Sequence, residues 1–276
     1  MDFTILGGQG FIGRALGEKL KKLKYSVYAP DRRELESLLC SRPDRDLGHL
    51  IYCIGVTADF RRRPLDAVQA HVCLLTRVLQ AGGFSSLTYL SSTRVYAYAR
   101  STREDAWLWV QPHSLDSLYN VSKLMGESAC LQSSQKTRVV RLSHVYGFEP
   151  DSENFLASVL QEAALKNKVT IRTSPDSAKD YVSLHDVTDL LPRIAVHGEY
   201  DIYNLASGVN MSNQELGHAL QELGVEVDFA PGAPEWTFPR IDISRLAREF
   251  SPPQGRLASD LPGLLQMYRR QYEQEI

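Results

Sequence analysis

The sequence predicts an α/β fold built on a doubly wound parallel sheet, and three observations carry that expectation. A short apolar run over 3–6 leads into glycines at 7, 8, 10 and 13 and then into apolar residues at helical spacing, which is a strand, a tight turn and a helix. Short apolar runs alternate with helical patterns through residue 147, the rhythm of successive βαβ units. Beyond 147 the rhythm loosens, as in a smaller unit set over the strand ends. The expected division is a larger domain over 1–147 and about 180–210, and a smaller one over about 148–179 and 211–276.

Phe3, Ile5 and Leu6 suit a strand buried on both faces. The turn after it aims backbone N–H groups and a helix N-terminus at one point, which suits a pyrophosphate. Gly8-x-Gly10-x-x-Gly13 matches the general dinucleotide fingerprint, and Gly7-x-x-Gly10-x-x-Gly13 matches the spacing of short-chain dehydrogenases. Gly7, Gly10, Phe11, Ile12 and Gly13 are therefore expected at a cofactor. A helix over 12–22 leads to a strand over 26–29. Asp31 at its tip could accept hydrogen bonds from ribose hydroxyls and select NAD. Arg32 and Arg33 follow, and a guanidinium there could take the 2′-phosphate of NADP, so both cofactors stay open.

A strand over 50–54 should bring Gly55 over the cofactor. Arg61, Arg62 and Arg63 either face an anionic substrate or form a solvated charge run. Leu65, Val68, Val72, Leu75, Val78 and Leu79 share one face of a helix over 64–80, which Gly82 and Gly83 end. A strand over 87–90 runs into Ser91-Ser92-Thr93-Arg94-Val95-Tyr96. The loop of about twenty residues after it holds Tyr98, Glu104, Asp105, Trp107 and Trp109, and loops of that size usually serve function. A helix beginning near Leu118 runs to about 131, and a strand over 138–142 ends in Ser143-His144-Val145-Tyr146-Gly147. Then come a helix over 155–166, strands over 169–171 and 180–184, and a helix to 195 capped by Asp186. A strand over 203–206, a helix over 214–223 capped by Ser212, and helices starting near Ser244 and Leu257 complete the chain.

The 276 residues carry 31 basic and 33 acidic side chains, a net charge of -2, which gives no reason to expect nucleic acid or a membrane as partner. A small molecule or a second copy of the chain is expected instead. No apolar run reaches spanning length, and the first residues read as a strand rather than a signal peptide. Cys40, Cys53, Cys73 and Cys130 show no metal spacing, so reduced thiols, no metal and a cytoplasmic location are expected.

Tyr119 and Lys123 are one helical turn apart and share a face. An ammonium beside a phenol favours the phenolate, so the pair can move a proton near neutral pH. The lysine could also bond the ribose next to a nicotinamide. Ser92, at a strand end, could hydrogen-bond the same substrate oxygen. These are the parts needed to pass a hydride between a nicotinamide and an alcohol or ketone.

On these motifs the chain resembles the extended short-chain dehydrogenases/reductases, the NAD-dependent epimerase/dehydratase family that acts largely on nucleotide sugars. GGQGFIG resembles the cofactor loop, SSTRVY the Ser-Ser-x-x-Val-Tyr segment with the catalytic hydroxyl on Ser92, and YNVSK the Tyr–Lys pair; RLSHVYG, KDYVSLHDV and YNLASG resemble later landmarks. The resemblance implies a Rossmann domain with a small C-terminal substrate-binding domain, catalytic Ser92, Tyr119 and Lys123, NAD or NADP, and a homodimer formed through the helices at 64–81 and 117–131. It places Thr93, His144, Lys179 and Arg240 at a nucleotide-sugar substrate. His71 and His144 stand where the family usually has Asn, and Lys179 where it has Arg, which lacks nothing in charge but loses the guanidinium fork. Thr93-Arg94 replace the Asp-Glu of the 4,6-dehydratases, which disfavours water elimination, and Thr93 replaces the cysteine of the 3,5-epimerase/reductase branch. The favoured expectation is a 4-keto sugar reductase. A 4-epimerase with tightly bound NAD uses the same triad, and a non-catalytic NAD(P)-binding sensor or scaffold is the alternative of another class.

Overall fold

The computed structural model describes residues 1–41, 46–56, 58–113 and 116–273. Six parallel strands form the main sheet: β1 (Asp2–Leu6), β2 (Ser26–Tyr28), β3 (His49–Tyr52), β4 (Ser86–Ser92), β5 (Thr137–Leu142) and, out of sequence, β9 (Ile202–Leu205), in the order β2-β1-β3-β4-β5-β9. The chain passes from β2 across β1 to β3, so the strand order reverses beside β1. Ligands bind outside the carboxyl ends of strands at such a point.

Both faces of the sheet are covered, which is why its strands lack polar alternation. Phe3, Ile5, Ile51, Leu90, Val140 and Leu142 point to one face and pack on α1 (Phe11–Lys22) and α7 (Leu184–His197) through Leu16, Leu20, Val187 and Leu191. Leu6, Leu50, Tyr52, Leu87, Tyr89 and Val139 point the other way. They meet Leu35 of α2 (Arg32–Ser41), Leu75, Val78 and Leu79 of α4 (Leu74–Ala81), and Cys130 of α5 (Ser117–Leu131). Each such aliphatic side chain contributes roughly 1.5–3 kcal/mol on burial.

A further cluster gathers α6 (Phe155–Lys166), β7 (Lys168–Ile171), α8 (Asn213–Glu222), β11 (Glu226–Phe229) and α10 (Leu257–Glu273) around Leu160, Ile171, Leu216, Leu261 and Tyr268. α9 (Ser244–Glu249) lies between these in sequence, yet Leu246 and the following Phe250 pack into the cluster of the main sheet. A small sheet, β10-β8-β6, links the two regions; β6 is His144–Tyr146, β8 Ala178–Ser183 and β10 Asn210–Ser212.

Four local features depart from the sequence reading. Residues 144–146 do not merely end β5: they form β6, which pairs parallel with β8. β10 and β11 were too short or too polar to read as strands and are held by their partners β8 and β7. The helix after Asp180-Tyr181-Val182 is capped by Ser183, whose hydroxyl accepts Asp186 N–H at 3.0 Å. Asp186 instead accepts the Ser183 hydroxyl and the N–H groups of Gln254 and Gly255. Finally, the helix over 64–80 is not uniform. α3 (Pro64–Val68) passes into a π-helical turn, Gln69–Cys73, before α4. At this turn the Ala70 carbonyl accepts the Tyr52 hydroxyl at 2.6 Å, and His71 is buried.

Candidate active site

The carboxyl ends of β1, β3, β4 and β5 open into a cleft of about 920 Å³. Its floor is backbone. Gly10 starts α1 with no side-chain cap, and Gly10, Phe11, Ile12 and Gly13 line the cleft, so the free N–H groups of the first turn face it. Gly7 has φ +87, a left-handed conformation that side chains resist. A Cβ on Gly13 would lie 2.3 Å from the Gly7 carbonyl oxygen, so the helix can approach the strand only with glycine here. The turn thus presents N–H donors at the positive end of a helix with no side-chain cap among the described residues, which fits a pyrophosphate.

Ser92 ends β4, and Tyr119 and Lys123 occupy the first turns of α5; Ser92 and Tyr119 line the cleft, and Lys123 lies just beneath, facing Gly55. The sequence reading expected the Lys123 ammonium to ease ionisation of the phenol. Burial raises the Tyr119 pKa, and the Arg94 guanidinium and the nearby Ser92 hydroxyl act against it. Lys123 Nζ stands 5.9 Å from the Tyr119 ring centre and donates to the Leu90 carbonyl at 2.9 Å, and burial pulls its own pKa down to about 7.

His71 is fully buried, edge-on to Tyr119 with ring centres 5.2 Å apart. The Ser122 hydroxyl donates to the Tyr119 carbonyl at 2.8 Å, so it must accept at its 2.9 Å contact with His71 Nδ1. That fixes the proton on Nδ1 and leaves Nε2 an acceptor, without a partner among the described residues. A Cβ on Gly55 would come within 3.4 Å of Nε2 and 3.7 Å of Lys123 Nζ, so the glycine keeps open a space between them. Burial first, then Lys123, push the His71 pKa down to about 2, and the ring is neutral.

The other anticipated residues divide. His144 and Lys179 line the cleft. His144 lies against Tyr181 and Phe238, and burial drives its pKa well below the usual histidine range. Lys179 lies 3.9 Å over the Phe155 ring, and burial lowers it to about 8. Thr93 is buried behind the wall and does not line the cleft. Arg240 is exposed outside it and donates Nε to the Gly208 carbonyl at 2.6 Å. Asp31 is exposed and caps α2, its Oδ1 accepting Arg33 and Glu34 N–H while Glu34 accepts Asp31 N–H; Arg32 beside it is exposed too. Of the three arginines only Arg61 lines the cleft; Arg62 pairs with Glu153 and Arg63 with Asp66. The long loop sends no tryptophan to the cleft: Trp107 and Trp109 are exposed, and buried Glu104 accepts Asn204 N–H and faces Arg245.

Sequence reasoning passed over Phe60, Asp116, Trp236 and Phe238, all of which line the cleft, and gave Arg94 no role beyond the motif. Asp116, just before α5, accepts both Arg61 and Arg94. The only signal was an acidic residue three before Tyr119, which spacing alone does not tie to two distant arginines.

A model of the NAD dependent epimerase/dehydratase family matches residues 3–206. A comparison with curated proteins found no match. Among solved structures, RMD from Pseudomonas aeruginosa complexed with NADPH is similar at 23% identity and TM-score 0.80, covering 98% of this chain and 100% of that one. UDP-glucose 4-epimerase from Thermotoga maritima with UDP-glucose is similar at 18% identity and TM-score 0.77, over 99% and 100%. TunA, an NAD-dependent NDP-hexosamine 5,6-dehydratase involved in tunicamycin biosynthesis, is similar at 20% identity and TM-score 0.80, over 98% of each chain. At these identities the likeness shows a shared fold.

Proposed function

The chain belongs to the NAD-dependent epimerase/dehydratase family, and from that premise we propose that it is an NAD(P)-dependent oxidoreductase of a nucleotide-linked sugar, working as a 4-keto sugar reductase. The observation that carries the reading is Ser92 and Tyr119 lining the same cleft as an uncapped glycine turn, with Lys123 beneath, facing Gly55. Gly7, Gly10, Phe11, Ile12 and Gly13 would hold the cofactor pyrophosphate, Gly55 would leave room for the nicotinamide ribose, and Lys123 would donate to it. Bound there, NAD(P)H supplies the hydride. Tyr119 gives its proton to the carbonyl oxygen as the alcohol forms, Ser92 holds that oxygen in line, and Arg94 favours the phenolate left behind. Lys179 and His144 would face the diphosphate side of the substrate.

Solved proteins of the same fold include a UDP-glucose 4-epimerase. An epimerase would keep its NAD and show no net redox change. Identifying the nucleotide released from purified, denatured protein separates the readings: an empty site with NAD(P)H consumption on 4-keto nucleotide sugars supports the reductase, whereas stoichiometric NAD with sugar isomerisation replaces it. Tyr119→Phe removes the proton donor and leaves the turn intact. Hydride transfer should fall about 100- to 10,000-fold while NADH affinity holds; a near-normal rate would refute the assignment. A second copy is proposed to pack on the face of α3 and α5 where Leu65, Met125 and Leu131 are exposed. Sedimentation of Met125→Asp against the parent chain tests that.

A further inference from the structure

We propose that the sugar accepted by this cleft carries a carboxylate, gripped by Arg94 beside Tyr119; this rests on the nucleotide-sugar reading above. Arg94 follows Ser92 by two residues, its N–H contacts the Ser92 hydroxyl oxygen at 3.3 Å, and its guanidinium lines the cleft. That guanidinium is fixed in place. Its carbon lies 5.2 Å from the Phe60 ring centre, 5.7 Å from Phe238 and 5.9 Å from Tyr119, so aromatic faces surround it, and one amino group donates to Asp116 at 2.8 Å. A guanidinium held this close to the proton-donating phenol stands within a sugar ring's reach of the reacting carbon.

Asp116 does not neutralise it. Arg61 already grips that carboxylate with two nitrogens, at 2.6 and 2.9 Å, and Arg94 shares one of the same oxygens. Two guanidiniums on one carboxylate leave a positive charge uncompensated. Arg94 Nε is buried away from the cleft, whereas Nη1 has no hydrogen bond among the described residues and Nη2 gives one to Asp116, so donors remain on the Nη1–Nη2 edge. A diphosphate has a different cation available: half-buried Lys179 lies over Phe155 with no carboxylate partner among the described residues. What the remaining Nη1–Nη2 edge of a guanidinium recognises best is a planar anion, and on a sugar that is a carboxylate. A neutral sugar would close the cleft over donors that its hydroxyls answer less well.

The test is calorimetric titration of NADH-saturated protein with UDP-glucuronate and UDP-glucose, repeated with glucuronate 1-phosphate and glucose 1-phosphate so that the ratio does not depend on the base. The acidic member of each pair should bind about 10- to 100-fold tighter. Arg94→Met should erase that preference by weakening the acidic ligand, with the neutral ligand within about threefold. Arg94→Lys, which keeps the charge and the fold but loses the fork, should retain part of it. Equal affinities in the parent protein, or an Arg94→Met variant that weakens both ligands alike as a diphosphate contact would, overturn the proposal and leave the nucleotide-sugar reading standing. Failure of every sugar ligand to bind protein that still takes NADH overturns both.

Discussion

The two walls of the cleft are made in different ways. The wall under the glycine turn is almost wholly backbone: Gly7, Gly10 and Gly13 act by what they lack, and the donors are main-chain N–H groups within a few residues of one another. The facing wall is all side chain. Arg94, Asp116, His144, Lys179 and Phe238 come from five separate segments and meet only once the sheet and the smaller cluster have folded. A backbone cradle binds the part of a ligand shared by many proteins, whereas assembled side chains can be exchanged one at a time to suit a particular substrate.

The contrast predicts that a single methyl group does more harm on the first wall than on the second. Gly13→Ala would set its Cβ 2.3 Å from the Gly7 carbonyl oxygen, which neither backbone can relieve without moving the turn. NADH affinity should fall about 100-fold or more, read by fluorescence titration, with the rest of the fold intact by circular dichroism. Unchanged affinity would mean that the turn is not the cradle, and the distinction between the walls would collapse.

The same contrast explains what could be read from the sequence. The six main strands and their helices are local patterns, and so are the glycine turn and the Tyr119–Lys123 spacing. Rules of period and capping therefore reach them. Arg94 and Asp116 are tied by a hydrogen bond across many residues, and nothing in their own neighbourhoods announces the pair. Asp31 and Arg240 show the opposite case, in which the sequence suggests a ligand and the chain adds a second role. Their residue types suit a ligand, and the carboxylate also caps α2 while the guanidinium also holds the Gly208 carbonyl. The π-helical turn at Gln69–Cys73 is invisible to an apolar stripe that continues on either side of it.

His71 lies beneath both walls and gives a pH readout of how dry that floor is. With its pKa near 2 in the fold, against about 6.5 in an unfolded chain, the ring favours the native state fully above pH 6.5. As pH falls below that, the unfolded chain takes up a proton the native state refuses, and stability is lost progressively toward pH 2. The loss should approach about 1.4 kcal/mol per pH unit from this one residue. His71→Gln should therefore flatten the dependence of the denaturation midpoint on pH between 6.5 and 5, relative to the parent. Parallel profiles would show that water reaches Nε2 and that the floor is not sealed.

The smallest expected effect is at Asp31, at the outer edge of the backbone wall. Because Oδ1 is taken by the N–H groups of Arg33 and Glu34, only the second carboxylate oxygen is open to a ribose hydroxyl. Asn caps a helix about as well as Asp, so Asp31→Asn should leave α2 in place and remove only the negative charge. Loss of one exposed charge-assisted hydrogen bond should weaken NADH by about three- to tenfold, and the 2′-phosphate of NADPH, no longer repelled and with exposed Arg32 beside it, should gain. Competition titrations with the two cofactors measure the ratio directly. If the ratio does not move, Asp31 acts only as a helix cap, and cofactor choice at this edge belongs to the arginines rather than to the acid that precedes them.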